Sequence, residues 1–487
     1  SLGVSEPADN SVTSAKIVDG TIATADIADF QITTAKLATN SVDHAKILDL
    51  NVTTAKLQDG AVTNAKVNAS AAIAGSKIDP TFTTDATING ITVGKGASSV
   101  GTNTVLGVDA LDANTNGTQN VAIGIEALTN NTGGDNNTAV GRLALRDNTT
   151  GNTNVAIGST ALVFNTTGDS NTAVGQDALK NTTTSNNTGV GKSALFSNTT
   201  GGSLAAFGSA ALKNNTTGVR NTGLGFEALI ENTTGNYNTG VGFRTLEENT
   251  TADNNTGVGY GSLQKNTTGT SNTAIGSDSL QQNTTASYNT ALGRSALKVN
   301  TTGGGNSAVG YGALQTNTTG QYNVAVGESA LLLNTTGERN VALGRQALEQ
   351  NTTGNYNVAL GYSALEENTT AGTNTGIGYK ALEANTTGSA NTAVGYTALV
   401  SNTTASGNTA VGNNCLISNT TASNNTAIGV EALKLNTTGA VNTAVGAYAL
   451  DANTTGGANT AVGRNSLGSN TTGVDNTAIG KDSLNSS

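Results

Sequence analysis

The sequence contains almost none of the residues that build ordinary globular cores and active sites. Its 487 residues include one Cys, one His and two Pro, no Trp and no Met, and aromatic residues make up only 3%. A lone Cys forms no disulfide within the chain. Catalytic Ser-His-Asp and Cys-His sets need histidines, and this chain has only one. The composition therefore argues against a hydrolase of either kind.

Charge and long apolar runs are also scarce. Charged residues make up 11% of the chain and the net charge is -10, without a basic cluster of the kind that binds nucleic acid or anionic lipid. No run of 18 apolar residues occurs. We therefore expect no nucleic-acid partner and no insertion into a membrane.

What the sequence does contain is one short unit repeated many times. A Gly that follows Val, Ile or Leu, or Phe in one unit, recurs every 17 residues from Gly107 to Gly175 and from Gly208 to Gly480, which with Gly191 gives 23 units. The single exception is the step of 16 residues from Gly175 to Gly191. Aliphatic residues at fixed intervals exclude the disordered chain that the polar composition alone would suggest.

The unit has the form N-T-A-V-G-x-x-A-L-x-x-N-T-T-G-x-x, and charged residues such as Lys180, Arg345 and Glu366 fall almost only at the x positions. The x positions are therefore expected to be solvated, and the Val and Leu positions to be buried. The predicted structural core is represented by Leu111, Leu128, Leu179, Leu348, Val174 and Ile123.

A period of 17 residues suits one coil of an all-β fold, a parallel β-solenoid or β-roll of 23 stacked coils. In the strand N-T-A-V-G, Thr and Val point to one face and Ala to the other. Gly replaces that Ala in several coils, which predicts a close-packed face at Gly189, Gly223, Gly240, Gly257 and Gly376. A neighbouring chain is one candidate for the group that approaches this face.

The rest of the unit permits two interpretations. The segment x-x-A-L-x-x-N is rich in helix formers, so a single helical turn ending near Asn is one alternative to an irregular turn. The N-T-T-G segment predicts a corner with a Gly at positive φ and an Asn in a stacked amide ladder. When the 16-residue step is aligned with the regular unit, Asn181 takes the place of the corner Asn, and the missing residue falls between Leu179 and Asn181.

The first part of the chain follows another period. Aliphatic residues stand five apart from Val12 to Val67 within ten-residue repeats such as NSVTSAKIVDG, residues 10–20. Single helical turns and a quadrilateral solenoid both fit this spacing. We therefore divide the chain into a decapeptide-repeat stalk at 1–70, an adaptor at 71–100 and a solenoid shaft at 101–487.

These segments, in this order, resemble bacteriophage tail fibres, especially those of marine and cyanobacterial phages. The resemblance is carried by the decapeptides, VNASAAIAGSKIDPTF (67–82), TINGITVGKG (87–96) and the N-T-A-V-G arrays. The V-A-I-G segment at 121–124 is also similar to repeats in the heads of trimeric autotransporter adhesins, which are trimers of left-handed parallel β-rolls. The resemblance implies a homotrimeric, elongated fibre on a virion or cell exterior. It also implies two partners, a host-surface glycan or protein receptor and the virion baseplate or other fibre proteins.

The residues that could carry chemistry favour structural roles. His44 lies in a decapeptide where other repeats have Thr, and Cys415 replaces a small Ala, so we expect a solvated or axial His and a buried Cys. The pairs Glu247/Glu248 and Glu366/Glu367 lie seven coils, or about 33 Å, apart, too far for a two-carboxylate hydrolase site. No catalytic, cofactor or metal site is predicted.

The N-T-T triplets match the N-glycosylation pattern, but their place at one corner of every coil is explained by the corner itself. Adjacent threonines point to opposite faces, which disfavours an ice-binding array. The leading hypothesis is a non-enzymatic, trimeric tail-fibre shaft that mediates host attachment. The alternative is a cellular adhesin or a self-assembling extracellular filament, and a fibre-borne enzyme ranks third.

Overall fold

The computed structural model describes residues 85–485, together with the isolated residues Ala23 and Thr33. Apart from a single 3₁₀ turn at Ala97–Ser99, every regular element in this part of the chain is a β-strand. The strands are β1 (Ala86–Ile88), β2 (Ile91–Gly94), β3 (Thr104–Gly107), β4 (Val121–Ile123), β5 (Thr138–Val140), β6 (Val155–Ile157), β7 (Thr172–Val174), β8 (Thr188–Val190), β9 (Ala205–Phe207), β10 (Thr222–Leu224), β11 (Thr239–Val241), β12 (Thr256–Val258), β13 (Thr273–Ile275), β14 (Thr290–Leu292), β15 (Ser307–Val309), β16 (Val324–Val326), β17 (Val341–Leu343), β18 (Val358–Leu360), β19 (Thr375–Ile377), β20 (Thr392–Val394), β21 (Thr409–Val411), β22 (Thr426–Ile428), β23 (Thr443–Val445), β24 (Thr460–Val462) and β25 (Thr477–Ile479).

The strands from β3 to β25 form one parallel ladder in chain order. Each strand pairs with the strand of the next coil at equivalent positions, as when Thr239 pairs with Thr256 and Val241 with Val258. The predicted all-β parallel solenoid with a 17-residue repeat is thus confirmed. With about 4.8 Å between neighbouring strands, the ladder is about 105 Å long.

The first coil is covered by a hairpin. Strand β1 pairs antiparallel with β2, and β2 pairs antiparallel with β3. The Asp85 carboxylate accepts hydrogen bonds from the backbone N–H groups of Lys95, at 2.7 Å, and Gly96, at 2.6 Å. The hairpin therefore satisfies one edge of the sheet, and it occupies the described part of the predicted adaptor at 71–100. The predicted stalk at 1–70 lies outside the described residues.

The interior of each coil is narrow and holds mainly Ala and Leu. Leu111, Leu128, Leu179 and Leu348 are fully buried, as are the strand residues Ala139 and Ala173. The prediction that Val174 and Ile123 lie in the core is wrong, because both side chains point outward and are half-buried. The strand does alternate as expected, but Ala faces the interior and Thr and Val face outward.

The five glycines of the predicted close-packed face lie inside the solenoid, where the chain itself approaches them. A Cβ added to Gly189 would lie 3.1 Å from Cγ of Leu179, and one added to Gly376 would lie 3.2 Å from Cγ of Leu365. At Gly257 the nearest atom would be Cγ2 of Thr245, at 2.6 Å. A neighbouring chain is therefore not the group that approaches this face. The interior accommodates only a small residue opposite each Leu.

Left-handed backbone conformations explain why the core residue after the strand is always Leu. Leu348 has φ 54° and Leu179 has φ 51°, and the residue two positions earlier is also left-handed, as at Gln346 with φ 60°. Such a conformation is especially unfavourable for β-branched residues, which favours Leu over Val and Ile at this position, although Val441 adopts it at an exposed site with φ 60°. Two left-handed residues in one segment also exclude the helical turn that the sequence allowed.

Glycine recurs at two positions of the coil, and the two differ in backbone conformation. The glycine after the strand, for example Gly361, has φ 135°, and a Cβ there would meet the carbonyl oxygen of the next such glycine, Gly378. The N-T-T-G glycine was predicted to have positive φ, and this is wrong: Gly388 is not among the residues of positive φ, and the same position holds Ala371 and Ala405 in other coils. Only the first glycine is required by backbone conformation.

Buried asparagines form two ladders along the solenoid. In the corner ladder, Nδ2 of Asn351 donates to Oδ1 of Asn334 in the preceding coil, at 2.8 Å, and to the carbonyl oxygen of Gly354, at 3.1 Å. In the strand ladder, the backbone N–H of Asn357 donates to Oδ1 of Asn340, at 2.9 Å. The predicted amide ladder is confirmed. These hydrogen bonds satisfy most of the buried amides and also join neighbouring coils; the exceptions are Oδ1 of Asn165 and Nδ2 of Asn289 and Asn425.

Both ladders are interrupted near the 16-residue step. Thr182 is fully buried in the corner position, whereas Asn181 is half-buried outside it, and Thr184 takes the place of the corner glycine because its carbonyl oxygen accepts from Nδ2 of Asn171 at 2.8 Å. The missing residue is therefore the second Thr of the corner, and its predicted place between Leu179 and Asn181 is wrong. Position 182 lacks an amide donor, and Oδ1 of Asn165 is left buried without a partner.

The strand ladder is interrupted in the next coil. Leu204 stands where other coils have Asn, and its backbone N–H still donates to Oδ1 of Asn187, at 3.1 Å. It offers no side-chain amide to the following coil. Two successive coils thus each lack one of the two interactions that join every regular pair of coils.

Candidate functional surface

The outward side of the strands forms a continuous surface that we call the strand face. It consists of the first and third residues of each strand from β3 to β25. The third residue is Val, Ile, Leu or Phe in every strand, and the first is Thr, Ser, Val or Ala. This face therefore carries no charge over its whole described length, although its aliphatic side chains are partly exposed, as for Leu224 at 46% and Ile157 at 40%.

Aromatic side chains border the strand face on both sides. We call the residue two positions before each strand the leading flank and the residue two positions after it the trailing flank; Tyr237 and Phe243 occupy these positions around β11. All ten tyrosines of the chain are exposed, between 36% and 72%, and nine of them lie on these flanks between Tyr237 and Tyr396. Tyrosine is enriched at protein interfaces because it combines a large apolar ring with a polar tip.

The trailing-flank rings stack along the solenoid. The ring centroids are 5.4 Å apart for Phe226 and Phe243 and for Phe243 and Tyr260, and 5.5 and 5.1 Å apart for the successive pairs of Tyr362, Tyr379 and Tyr396. The planes of each pair are inclined by 13° or less. Within a stack, the rings therefore cover one another and present mainly their edges to the outside.

Arginines extend the aromatic stacks. Arg345 lies over the ring of Tyr362 at 5.7 Å and its Nε lies 3.2 Å from Glu328. On the leading flank, Arg339 lies between Tyr322 and Tyr356, at 5.5 and 5.6 Å. These contacts hold the exposed cations against the rings, so the flanks form ordered columns.

The apolar surface widens at the first coils of the solenoid. A groove of about 380 Å³ lies between Ile91 of the hairpin and the side chains of Leu106, Val108, Ile123 and Ile125. Ile123, which the sequence placed in the core, thus belongs to the outer surface. The groove continues the strand face toward the hairpin.

The residues considered for chemistry do not come together. Cys415 is fully buried, and desolvation raises the pKa of its thiol to about 12, so it is unreactive near neutral pH. Glu247 accepts a hydrogen bond from Gln264 and lies 3.6 Å from Arg244, which gives its carboxylate ordinary surface partners. His44 lies outside the described residues. Among residues 85–485, no three His, Cys, Asp or Glu side chains are grouped as metal ligands would be.

Apart from the triplet that begins at the half-buried Asn181, the N-T-T triplets place their Asn where a glycosyltransferase cannot reach it in the folded chain. Asn351, the first residue of one such triplet, is fully buried, and its Nδ2 donates the two hydrogen bonds of the corner ladder. Attaching a glycan to this nitrogen would remove a donor and require the coil to open. The structure thus supplies a steric reason against modification of the folded solenoid.

The structure defines a β-solenoid repeat protein. No protein-family model matches the chain, and no curated protein is significantly similar to it. No helix in the described part of the chain is long and apolar enough to cross a bilayer. The aromatic flanks were not predicted from the sequence, although the 17-residue spacing of Tyr362, Tyr379 and Tyr396 indicates that these rings lie in one column.

Proposed function

We propose that this protein is a non-enzymatic structural and adhesive fibre, the shaft of a phage tail fibre that assembles as a homotrimer and mediates attachment to a host surface. The observation that carries the proposal is the unbroken parallel ladder of strands from β3 to β25, in which the same amide contacts also join the coils everywhere except at positions 182 and 204. A fold of this kind gives length at constant cross-section, which is what a spacer between a particle and its receptor needs.

The variable residues support an adhesive role. They lie on the outside of the coils, so the surface chemistry changes from coil to coil while the interior stays the same. Three copies on one rod would convert weak contacts with a host glycan or protein into high avidity. The order of the decapeptides, the segments at 67–82 and 87–96 and the 17-residue repeats supports the comparison with tail fibres.

The test is to locate the protein and measure its binding. Antibodies raised against residues 85–485 are applied to phage particles and to bacterial cells, and gold labelling is viewed by electron microscopy. Labelling of phage tails, with binding of the purified protein to host cells that particles infect, is the expected result. Labelling of cell surfaces or of free filaments would instead support the alternative, a cellular adhesin or extracellular filament. No binding to any susceptible host would overturn the adhesive role.

A further inference from the structure

The strand face has the features of a buried surface, but no other segment among residues 85–485 packs against it. The partly exposed third residues each retain roughly 20–40 Å² of apolar surface, which sums to on the order of 500–900 Å² along the strands β3 to β25. A standard interface buries about 800 Å² per partner, so the column approaches that size by itself.

The tyrosines increase this area where they are concentrated. An aromatic side chain has about 150–250 Å² of surface, so each of the nine flank tyrosines, which are 39–72% exposed, adds on the order of 100 Å². Monomeric proteins rarely expose a continuous apolar patch of this size without a binding role. A partner that covers this surface must therefore fit the whole length of the strand face.

The geometry of the rings argues against a sugar as that occupant. Pyranose rings bind by stacking on the faces of aromatic rings, and the faces within the trailing-flank stacks are covered by neighbouring rings at 5.1–5.5 Å. A partner must instead contact ring edges and aliphatic side chains at the spacing of the coils, about 4.8 Å, over tens of ångströms. A second copy of this chain has that spacing throughout.

We propose that parallel copies of the chain assemble through the strand face, with the leading flank of one copy against the trailing flank of the next. The two flanks of a copy differ, so contacts between them are heterologous and close into a ring of copies around a common axis. The proposal deepens the trimeric shaft put forward above by assigning its interface, and residues 220–396 contribute the aromatic anchors.

The composition of the flanks in the aromatic coils supports their pairing at the same coil level, whereas the coil of β17 has Arg on both flanks, Arg339 and Arg345. In two coils, a small residue on the leading flank accompanies a tyrosine on the trailing flank: Thr373 with Tyr379 and Ala390 with Tyr396. In two others both flanks are aromatic, Tyr237 with Phe243 and Tyr356 with Tyr362. Small-to-large contacts and aromatic pairs both pack well between copies.

The first experiment introduces charge into the face and measures mass in solution. Sedimentation of the wild-type chain is expected to give three times the 48.3 kDa chain mass. Replacing Val309 and Leu343 together by Arg should yield monomers, because both side chains lie on the strand face and remain solvated in a single chain. The matched control Thr336→Arg, on the exposed corner, should leave the mass unchanged.

The second experiment tests which flanks meet. Ser271 and Ser277 lie on the leading and trailing flanks of one coil, roughly 15–20 Å apart along an extended chain, too far for an intramolecular disulfide. In a Cys415→Ala background, the double variant Ser271→Cys/Ser277→Cys should oxidise to species of up to three linked chains, whereas each single variant should remain unlinked.

A monomeric wild-type chain, or a trimer that persists in the double Arg variant, would overturn the interface. Failure of the proposed function would give different results. The wild-type chain would then form a trimer that dissociates in the double Arg variant, but it would bind no host surface, and antibodies against it would label no phage particle. Disulfides between identical single variants would show like flanks in contact and would also contradict the ring.

Discussion

Restoring the missing amide at position 182 should strengthen the weakest part of the corner ladder. Thr182→Asn places a donor next to Oδ1 of Asn165, which is buried and has no partner, and keeps an acceptor for Nδ2 of Asn198, which now reaches Oγ1 of Thr182 at 3.2 Å. A buried unsatisfied acceptor costs about 1–3 kcal/mol, and we expect a gain of about 1–2 kcal/mol.

The assay must be local, because a solenoid opens in segments and a single unfolding midpoint averages over many coils. Hydrogen–deuterium exchange followed by mass spectrometry of peptides between residues 160 and 205 resolves this region. A gain of about 1–2 kcal/mol corresponds to exchange slowed roughly 5- to 30-fold. Peptides beyond residue 300 serve as internal controls and should be unaffected.

The matched control creates the same defect in a regular coil. Asn351→Thr removes the donor to Oδ1 of Asn334 and should accelerate exchange there by a similar factor. If Asn351→Thr has this effect and Thr182→Asn does not slow exchange, a water molecule already satisfies Asn165. That result would refute the assignment of position 182 as a weak point of the ladder.

Three further predictions concern the core, the backbone and the thiol. Leu348→Ala should lower the local free energy of unfolding by about 2–5 kcal/mol, as measured by hydrogen–deuterium exchange of peptides that contain this coil. Glu349→Ala, on the surface of the same coil, should change it by less than about 0.5 kcal/mol. Gly361→Ala should prevent normal folding or lower the free energy of unfolding by about 3 kcal/mol or more, because its φ of 135° is unfavourable for any other residue. Gly388→Ala should have a smaller effect: a Cβ there must displace the carbonyl oxygen of Ala405, but φ is not positive and Ala371 and Ala405 occupy the same position in other coils. Circular dichroism melting distinguishes the two variants, and equal effects would contradict the backbone argument. Cys415 should resist alkylation by iodoacetamide at pH 8 until denaturant opens its coil. Burial raises the pKa of its thiol to about 12, so almost no thiolate is present at pH 8. Rapid labelling of the native chain would show that the coil opens.

Periodicity predicted the coil but not which side of the strand faces the interior. Alternation places Val174 opposite Ala173, and hydrophobicity alone favours the larger residue inside. The structure reverses this because Leu179 fills the narrow interior, and a Cβ at Gly189 would already lie 3.1 Å from its Cγ. The cross-section of the coil, which the sequence does not reveal directly, decides between the two faces.

The turn after the strand was ambiguous for a similar reason. Helix formers at Gln346, Ala347 and Leu348 are compatible with a helical turn, but propensity does not report the sign of φ. Hydrogen bonds to the neighbouring coils compensate for the conformational free energy that left-handed φ costs. One example is the hydrogen bond from the N–H of Leu348 to the carbonyl oxygen of Ala364, at 3.0 Å. Contacts between coils override the local preference at this turn.

The 16-residue step shows a limit of alignment by residue type. Asn181 matched the corner Asn by identity, yet the backbone N–H of Thr182 donates to the carbonyl of Leu179 at 3.2 Å, as Asn165 donates to Leu162 at 3.1 Å. The turn after Leu keeps its length, and the corner is shortened instead. The corner tolerates the loss because the carbonyl of Thr184 replaces that of the glycine.

Equivalent register between successive coils has a consequence for how such a chain changes over generations. Because Thr239 meets Thr256 just as Thr256 meets Thr273, a coil inserted or lost as a whole creates no new kind of contact. Unequal recombination between repeats of the gene can therefore change reach in steps of about 4.8 Å without a compensating mutation. Length in this protein is then a heritable quantity that varies independently of the surface that each coil displays.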